Sequence, residues 1–285
     1  MAWTHKVLAL AYPFLRLRTG INWIKGSKSP RLRVLMYHDI PPGEANAFES
    51  QLRWLARRWN FISPETFTKI LDGKSELQED SLLLTFDDGF VSNRQVAEAV
   101  LDPLNIKAIF FVVPNFINLD ISDDWRRFVA TNICPGTKPE QHPSWRQNMT
   151  WDDLRSLSSN GHTIGAHTLS HPRLSCLSQK ELINEILGSA AIIEKNIGER
   201  PVNFAYTFGD ISSFSPEALS VARQSFKYIY SGIRGNNAIS PTSWAILRDA
   251  ISVDDKKSLV GAILEGGADW WYAKAINTYR SWNDE

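Results

Sequence analysis

The sequence predicts one α/β barrel of the (β/α)7 type, built mostly from parallel strands and preceded by an N-terminal helical arm. Seven short apolar runs alternate with segments of helical periodicity, which is typical of a parallel sheet. The runs are almost continuously apolar, as expected of strands covered on both faces. Polar residues follow several nonadjacent runs, where barrels place their active sites, and this favours a barrel over an open sheet. The predicted strands are Arg33–Tyr37, Ser81–Phe86, Lys107–Val113, His162–Ala166, Val202–Tyr206, Lys227–Ser231 and Trp244–Ile251.

The amino-acid composition limits the kinds of partner and metal site that the chain can have. The chain of 285 residues has 31 Lys and Arg against 31 Asp and Glu, so no electrostatic feature indicates a nucleic-acid partner. Cys134 and Cys176 lie outside any C-x-x-C pair, which excludes a thiolate zinc site. Two cysteines in a chain of this length are expected to be free thiols, with one disulfide between them as the alternative. The 11 Trp residues are of a type suited to sugar-binding surfaces, although packing is the expected role of any single one.

We expect an arm at residues 1–30 and a barrel at 31–285 that contains an inserted loop or lid at 118–149. Residues Val7 to Ile24 are predicted to form an amphipathic helix, and its apolar run is too short to span a membrane. It is either a packing arm, the favoured interpretation, or a peripheral membrane contact. The insert shows no clear helical or strand periodicity. It is either a lid or substrate wall, or a loop with a purely structural role and one short helix at 123–131.

Helix starts are marked by capping signals. Ser63 and Ser215 each precede a proline at the first helical position. Thr150 and Ser178 each open a capping-box pattern, and the helix after Ser178 is predicted to end at Gly198.

Asp87 and Asp88 stand directly after the most apolar predicted strand, and Gly89 follows them. Burying an unpaired carboxylate costs several kcal/mol, so a cation is expected nearby. His167 is expected at another strand tip, and His171 in the turn after it, because the following proline disfavours a helix. Two imidazoles and one carboxylate form a set that suits catalytic Zn²⁺ or another first-row metal. A plain turn at the aspartates and structural histidines are the alternative.

The two aspartates cannot point the same way. One can bind the metal, while the other remains free to take a proton from water that the metal acidifies.

The run Thr85-Phe86-Asp87-Asp88-Gly89, together with His167-Thr168-Leu169-Ser170-His171-Pro172, resembles the NodB-homology polysaccharide deacetylases. These are metal-dependent hydrolases that remove N-acetyl, less often O-acetyl, groups from sugars. The resemblance extends from about Arg33 to Ile251. It implies an irregular barrel, a carbohydrate partner that bears N-acetyl groups, and one divalent metal, Zn²⁺ first, with Co²⁺, Ni²⁺ or Fe²⁺ as alternatives.

Residue by residue, the resemblance makes Asp87 the general base and Asp88, His167 and His171 the metal ligands. Most members have an acid histidine near the C-terminal end, but no histidine follows His171 here. The segment Val34-Leu35-Met36-Tyr37-His38-Asp39-Ile40 is instead similar to a permuted branch that includes exopolysaccharide deacetylases, whose acid histidine precedes the Asp-Asp pair. His38 is therefore expected to be the general acid, with a structural hydrogen bonder as the alternative.

The run Ala205-Tyr206-Thr207-Phe208-Gly209 resembles the Ala-Tyr-Pro-Phe/Tyr-Gly segment of that branch, with Thr207 in place of proline. Tyr206, Phe208 and Gly209 are thus expected at the substrate or oxyanion, with a backbone donor at Phe208.

Ile246-Leu247-Arg248 is similar to a Leu-Pro-Arg segment of the branch, which implies that Arg248 orients Asp87. An ion pair of Arg248 with Asp249 or Asp254 at the surface or barrel mouth is the alternative.

The expected function is a metal-dependent hydrolase that removes N-acetyl groups from N-acetylhexosamine units of a glycan or glycoconjugate and releases acetate. The same site could act on O-acetyl esters or non-sugar amides, or the barrel could be a degenerate saccharide binder. A purely structural domain would require the four ligand and base residues to coincide by chance. The compartment is expected to be cytoplasmic or membrane-peripheral, with the cell envelope as the alternative.

Overall fold

The structure is a computed structural model that describes residues 2–24, 29–120, 124–239 and 241–282. Met1 and residues 25–28 of the predicted arm, and residues 121–123 of the predicted insert, lie outside the described residues. Eight strands are found in the described part of the chain. They are β1 (Leu32–Tyr37), β2 (Asn60–Phe61), β3 (Ser81–Phe86), β4 (Ala108–Val112), β5 (Thr163–Ala166), β6 (Asn203–Ala205), β7 (Tyr228–Tyr230) and β8 (Asp249–Ala250).

The strands form one curled sheet in the order β7-β6-β5-β4-β3-β1-β8, with β2 also paired to β3, and every one of these pairings is parallel. Residues 243–251 link the two ends of this order. Ile246 bridges Tyr230 of β7, and Asp249 then pairs with Leu35 of β1. The predicted parallel barrel is thereby confirmed.

The predicted strand Trp244–Ile251 has only two residues of regular strand, because its first half bonds to β7 and its second half to β1. The two-residue β2 was not predicted, since so short a segment carries no readable period.

Eleven α-helices surround the sheet in the described part of the chain, and single 3₁₀ or π turns connect or extend several of them. The predicted caps are present, since the Ser63, Thr150 and Ser215 side chains each accept a backbone N–H in the first turn. Gly198 ends its helix at φ 92°, a backbone angle that glycine adopts without strain. The helices are α1 (Ala2–Ile24), α2 (Ala45–Leu55), α3 (Pro64–Leu71), α4 (Val91–Val96), α5 (Pro114–Ile117), α6 (Asp124–Phe128), α7 (Trp151–Ser159), α8 (Gln179–Ile197), α9 (Pro216–Ala222), α10 (Lys257–Leu264) and α11 (Asp269–Ser281).

Both faces of the sheet are buried. Successive residues of one strand fall into separate apolar clusters, with Leu82 and Leu84 in the larger cluster and Leu83 in the smaller. All six residues of β3 are buried, so the two acidic residues that follow emerge from the centre of the protein.

The N-terminal helix α1 packs on the C-terminal part of the chain. Leu8, Tyr12 and Leu15 join a cluster with Ile263 of α10 and Ala268. None of the helices in the described ranges is both long and apolar enough to cross a membrane.

A buried ion-pair network fixes the C-terminal helices to the barrel. Arg33 of β1 is fully buried and donates to both oxygens of Asp249, at 2.8 and 2.9 Å. It also donates to Asp269 at 2.7 Å and to the Ile263 carbonyl at 3.0 Å. Removing one partner of such a group leaves a charge in a low-dielectric interior.

We expect Asp249→Asn to lower the free energy of unfolding by about 3–5 kcal/mol, because Arg33 then keeps a buried charge without its main counter-ion. Equilibrium urea denaturation measures this change. Glu49→Gln is the matched control, since its i,i+4 pair with Arg53 is exposed and should change the stability by less than about 0.5 kcal/mol. Equal losses in the two variants would contradict the structural role of the network.

Candidate active site

One cavity of about 380 Å³ lies at the carboxyl ends of the strands. It is formed by residues that follow β1, β3, β5 and β6 and by the segment that closes the barrel. Eight of the nine predicted site residues line it, and Gly209 lies behind the cavity wall. The eight are His38, Asp87, Asp88, His167, His171, Tyr206, Phe208 and Arg248.

Asp88, His167 and His171 converge in this cavity. One ligand atom from each lies within 4.8 Å of the other two, and all three side chains are buried. The Oδ1 atom of Asp88 is 3.7 Å from Nε2 of His167 and 3.4 Å from Nε2 of His171. Three donor atoms thus face one small volume.

Hydrogen bonds to carbonyl groups set the tautomer of both histidines. Nδ1 of His167 lies 2.7 Å from the Ala205 carbonyl oxygen, and Nδ1 of His171 lies 2.9 Å from that of Asn132. A carbonyl only accepts, so each Nδ1 carries the proton and each Nε2 presents a lone pair toward Asp88. Burial lowers the pKa of His167 to about 4 and that of His171 to about 3, which keeps both rings neutral.

The Asp88 carboxylate shows that this group of ligands fits a cation. Its Oδ1 is buried and has no hydrogen-bond partner among the described residues. Burial raises the pKa of Asp88 to about 7, and the neighbouring charge of Asp87 adds to the rise. A divalent ion would satisfy the orphaned oxygen and use both free Nε2 atoms. Two imidazoles and one carboxylate, with room left in the cavity, are the ligand set of catalytic zinc and related metals.

The backbone around the site is locally strained. Four of the five non-glycine residues with positive φ in the described ranges are Asp88 (76°), Thr168 (62°), His171 (63°) and Phe208 (61°). Such residues cost about 1–3 kcal/mol each and persist only where surrounding contacts impose them. The positions of these ligands therefore depend on the barrel as a whole.

Two residues that the sequence did not single out hold the His167–His171 loop in place. The Glu185 carboxylate of α8 accepts from the backbone N–H of Leu169 and of Ser170, at 3.0 and 2.9 Å. Asn132 donates to the Ser170 carbonyl at 2.8 Å and accepts from His171. Their only sequence signal was a polar residue on a predicted helix or in the insert.

Asp87 lies beside the three ligands and is held by Arg248. The guanidinium donates to both carboxylate oxygens, at 2.6 and 2.9 Å, and its Nε donates to the Ser231 carbonyl at 2.9 Å. Burial alone would raise the pKa of Asp87, but the charge and hydrogen bonds of Arg248, together with the nearby His167 and His38, hold that pKa below its usual value. Oδ2 of Asp87 is 3.9 Å from Nε2 of His167, so a small molecule among the ligands is within its reach.

The alternative surface ion pair of Arg248 is wrong. Arg248 is fully buried, and Asp249 instead bonds Arg33. His38, by contrast, is exposed on the cavity wall, beyond the carboxyl end of β1.

The 206–209 turn supplies another part of the wall. Tyr206 is buried and its ring stacks on Phe214 at 3.9 Å between centroids. The Phe208 ring packs against His171 at 4.8 Å and is 38% exposed. At Gly209 (φ 73°) a Cβ would lie 2.6 Å from the Gly232 nitrogen, so this turn admits only glycine.

Thr207 forms a contact that a proline could not make. Its hydroxyl donates to the Pro172 carbonyl at 2.5 Å. The Phe208 turn is thereby tied to the loop that carries His171.

The insert contributes Ile133, Cys134 and Arg146 to the cavity lining. Arg146 donates from Nε and Nη2 to Asp39 at 2.9 and 3.1 Å, next to His38. Asp39 and Arg146 were missed by the sequence analysis, although Asp39 directly follows a predicted strand-end residue. Cys134 and Cys176 are free, as predicted.

Comparison with known proteins agrees with this geometry. The sequence profile of the family described as polysaccharide deacetylase matches residues 74–225. The Bacillus subtilis protein YxkH is 23% identical over 208 residues, which cover 71% of this chain and 64% of that relative. A peptidoglycan-N-acetylglucosamine deacetylase of Bacillus cereus is 27% identical over 131 residues, covering 45% of this chain and 36% of the relative.

The chain therefore spans between about a third and two thirds of the length of these two relatives. The solved structure of IcaB from Ammonifex degensii superposes with a TM-score of 0.65 at 20% identity, covering 84% of this chain and 98% of that one, which shows a shared fold. The profile match covers more than half of the chain, the fold agrees, and the buried Asp-Asp and His-x-x-x-His groups meet in one cavity. The chain belongs to the polysaccharide deacetylase family.

Proposed function

We propose that this protein is a metal-dependent deacetylase that hydrolyses the N-acetyl group of N-acetylhexosamine units in a glycan or glycoconjugate. The observation that carries the proposal is a carboxylate held ionised by Arg248, Asp87, beside three ligand atoms that face one volume. A relative named peptidoglycan-N-acetylglucosamine deacetylase supports an amino sugar as substrate.

Asp88, His167 and His171 would hold the metal, for which we propose Zn²⁺, with Co²⁺, Ni²⁺ or Fe²⁺ as alternatives. When bound, the ion would polarise the acetyl carbonyl and acidify the attacking water. Asp87 accepts the proton that this water loses as its oxygen adds to the carbonyl carbon. Arg248 keeps Asp87 ionised and fixes the direction of both its oxygens.

The remaining roles fall to the cavity wall. The backbone N–H of Phe208, in the turn that includes Tyr206 and Gly209, donates to the oxyanion of the tetrahedral intermediate. His38 gives a proton to the sugar nitrogen as the carbon–nitrogen bond breaks, because an amide anion is too basic to leave. The products are acetate and the free amino sugar.

We also propose that residues 118–149 act as a substrate wall. The contacts of Arg146 with Asp39 attach the insert to the residue next to His38, and Ile133 and Cys134 face the same cavity. We propose a division into an arm at 1–30 and a barrel at 31–285, which is supported by the packing of α1 on α10. We propose a membrane-peripheral location, to which the arm contributes.

Removal of one ligand should abolish metal retention. We expect about one Zn²⁺ per wild-type chain, and for His167→Ala a loss of metal affinity larger than the 10–100-fold typical of outer-shell changes. His162→Gln is the matched control, because that buried histidine bonds Asp102 outside the cavity and should leave the stoichiometry unchanged. Elemental analysis after dialysis measures both variants. Full metal content in His167→Ala would overturn the assigned ligands.

Two variants separate the general base from the general acid. Asp87→Asn should lower kcat by about 10²–10⁴-fold on both an N-acetylglucosamine oligomer and 4-nitrophenyl acetate, because both reactions need an activated water. His38→Ala should lose activity only on the oligomer, since a nitrophenolate leaves without protonation. Acetate and nitrophenolate release are the readouts, with circular dichroism to verify folding. Wild-type rates on the oligomer in either variant would refute its role.

Arg146→Ala should raise KM by about tenfold and change kcat by less than about threefold, because it loosens the proposed wall without touching Asp87 or the ligands. Steady-state kinetics on the oligomer measures the split. Arg155→Ala is the control, since its guanidinium pairs with Asp152 on the exposed face of α7 and should leave both constants unchanged. An unchanged KM in Arg146→Ala would remove the insert from the substrate site.

A further inference from the structure

Helix α1 carries two apolar faces, of which only one is covered. Leu8, Tyr12 and Leu15 pack against α10 and the chain after it. With about 100° per residue, a second set of apolar side chains falls within about 80° on the opposite side of the helix. We call this set the outer face of α1. It consists of Val7 (46% exposed), Leu10 (76%), Phe14 (75%), Leu17 (64%) and Ile21 (43%).

Two exposed tryptophans follow the segment that packs against α1. Trp270 is 70% exposed and Trp271 42%, and their rings contact each other at 5.2 Å between centroids. They stand in the first turn of α11, just after Ala268, which packs against the covered side of α1. The five apolar residues of the outer face lie on one side of α1, and exposed apolar side chains grouped in this way mark an interaction surface rather than ordinary solvent exposure.

Charge identifies the kind of partner. Five Lys and Arg residues lie in the first 30 positions of the chain, and the first acidic residue is Asp39. Among the described side chains of α1, Lys6, Arg16 and Arg18 are exposed. A helix with cations around an exposed apolar face is complementary to an anionic lipid surface, where each Lys or Arg adds roughly fivefold in affinity. The other two of the five are Lys25 and Lys28, whereas Arg31 and Arg33 are ion-paired with acidic residues inside the fold.

We propose that α1 lies in the interface of an anionic lipid bilayer, with its outer face in the acyl boundary and its cations among the headgroups. A second copy of the chain is a poorer occupant, because pairing two outer faces would bring helices together that carry cations and no acidic residue. The inference specifies the residues and the lipid behind the membrane-peripheral location proposed above, and it does not depend on the deacetylase activity. It makes the arm both a packing element, through Leu8 and Leu15, and a membrane contact.

Co-sedimentation of the full chain with vesicles tests the proposal. We expect binding to vesicles of phosphatidylcholine with one quarter phosphatidylglycerol, weak binding to phosphatidylcholine alone, and release at high salt. The double variant Leu10→Gln/Phe14→Gln should bind the anionic vesicles at least about tenfold more weakly, because two large side chains no longer enter the apolar layer. The matched control is Ile183→Gln/Val202→Gln, which changes two exposed apolar residues elsewhere and should bind as wild type.

Three results would overturn the proposal. They are no sedimentation of the wild type with anionic vesicles, an equal loss in the control variant, and a dimer in analytical ultracentrifugation that Leu10→Gln/Phe14→Gln dissociates. The Asp87→Asn variant keeps the arm and should bind the vesicles as wild type, so membrane binding is scored independently of turnover. The outer-face variant should in turn retain wild-type activity on a water-soluble oligosaccharide, so the two proposals fail separately.

Discussion

Two adjacent carboxylates in the interior of the protein are the constraint on which the rest of the site depends. Asp87 and Asp88 follow a fully buried strand and cannot both remain charged without partners. The surroundings of the two carboxylates differ. Arg248 binds both oxygens of Asp87, whereas Asp88 faces two neutral imidazoles and retains an orphaned oxygen that a cation would satisfy. One residue is thereby suited to proton transfer and its neighbour to metal binding.

The segment that closes the barrel also supplies a residue of the site. The segment 243–251 bonds β7 with its first half and β1 with its second, and Arg248 projects from the point between them. The next residue, Asp249, pairs with the buried Arg33 of β1. A short segment thus supplies both the partner of the proposed base and a main structural ion pair, so distortion there disturbs stability and chemistry together.

Further contacts hold the strained loops around the site in place. Glu185 binds the backbone between the two histidines, and Thr207 ties the Phe208 turn to the His171 loop. The insert adds Asn132 behind His171 and Arg146 beside Asp39. These contacts come from α8, from a turn after β6 and from the insert, so the ligand positions integrate distant parts of the chain. Helix α1 stands apart from this arrangement and exposes its outer face on the protein surface.

The sequence by itself determined the parallel barrel, the capped helix starts and the group of candidate site residues, because apolar period, capping residues and strand-end charges are local signals. The resemblance to the deacetylases then assigned Asp87 as base and Asp88 as ligand. Tertiary structure decided the rest. Only the fold shows that Arg248 turns to Asp87 while the next residue, Asp249, turns to Arg33. Likewise, Glu185, Asn132 and the Asp39–Arg146 pair carry no local signature. Their roles arise from backbone and side-chain groups brought together over separations of up to 107 residues, which no sequence period encodes.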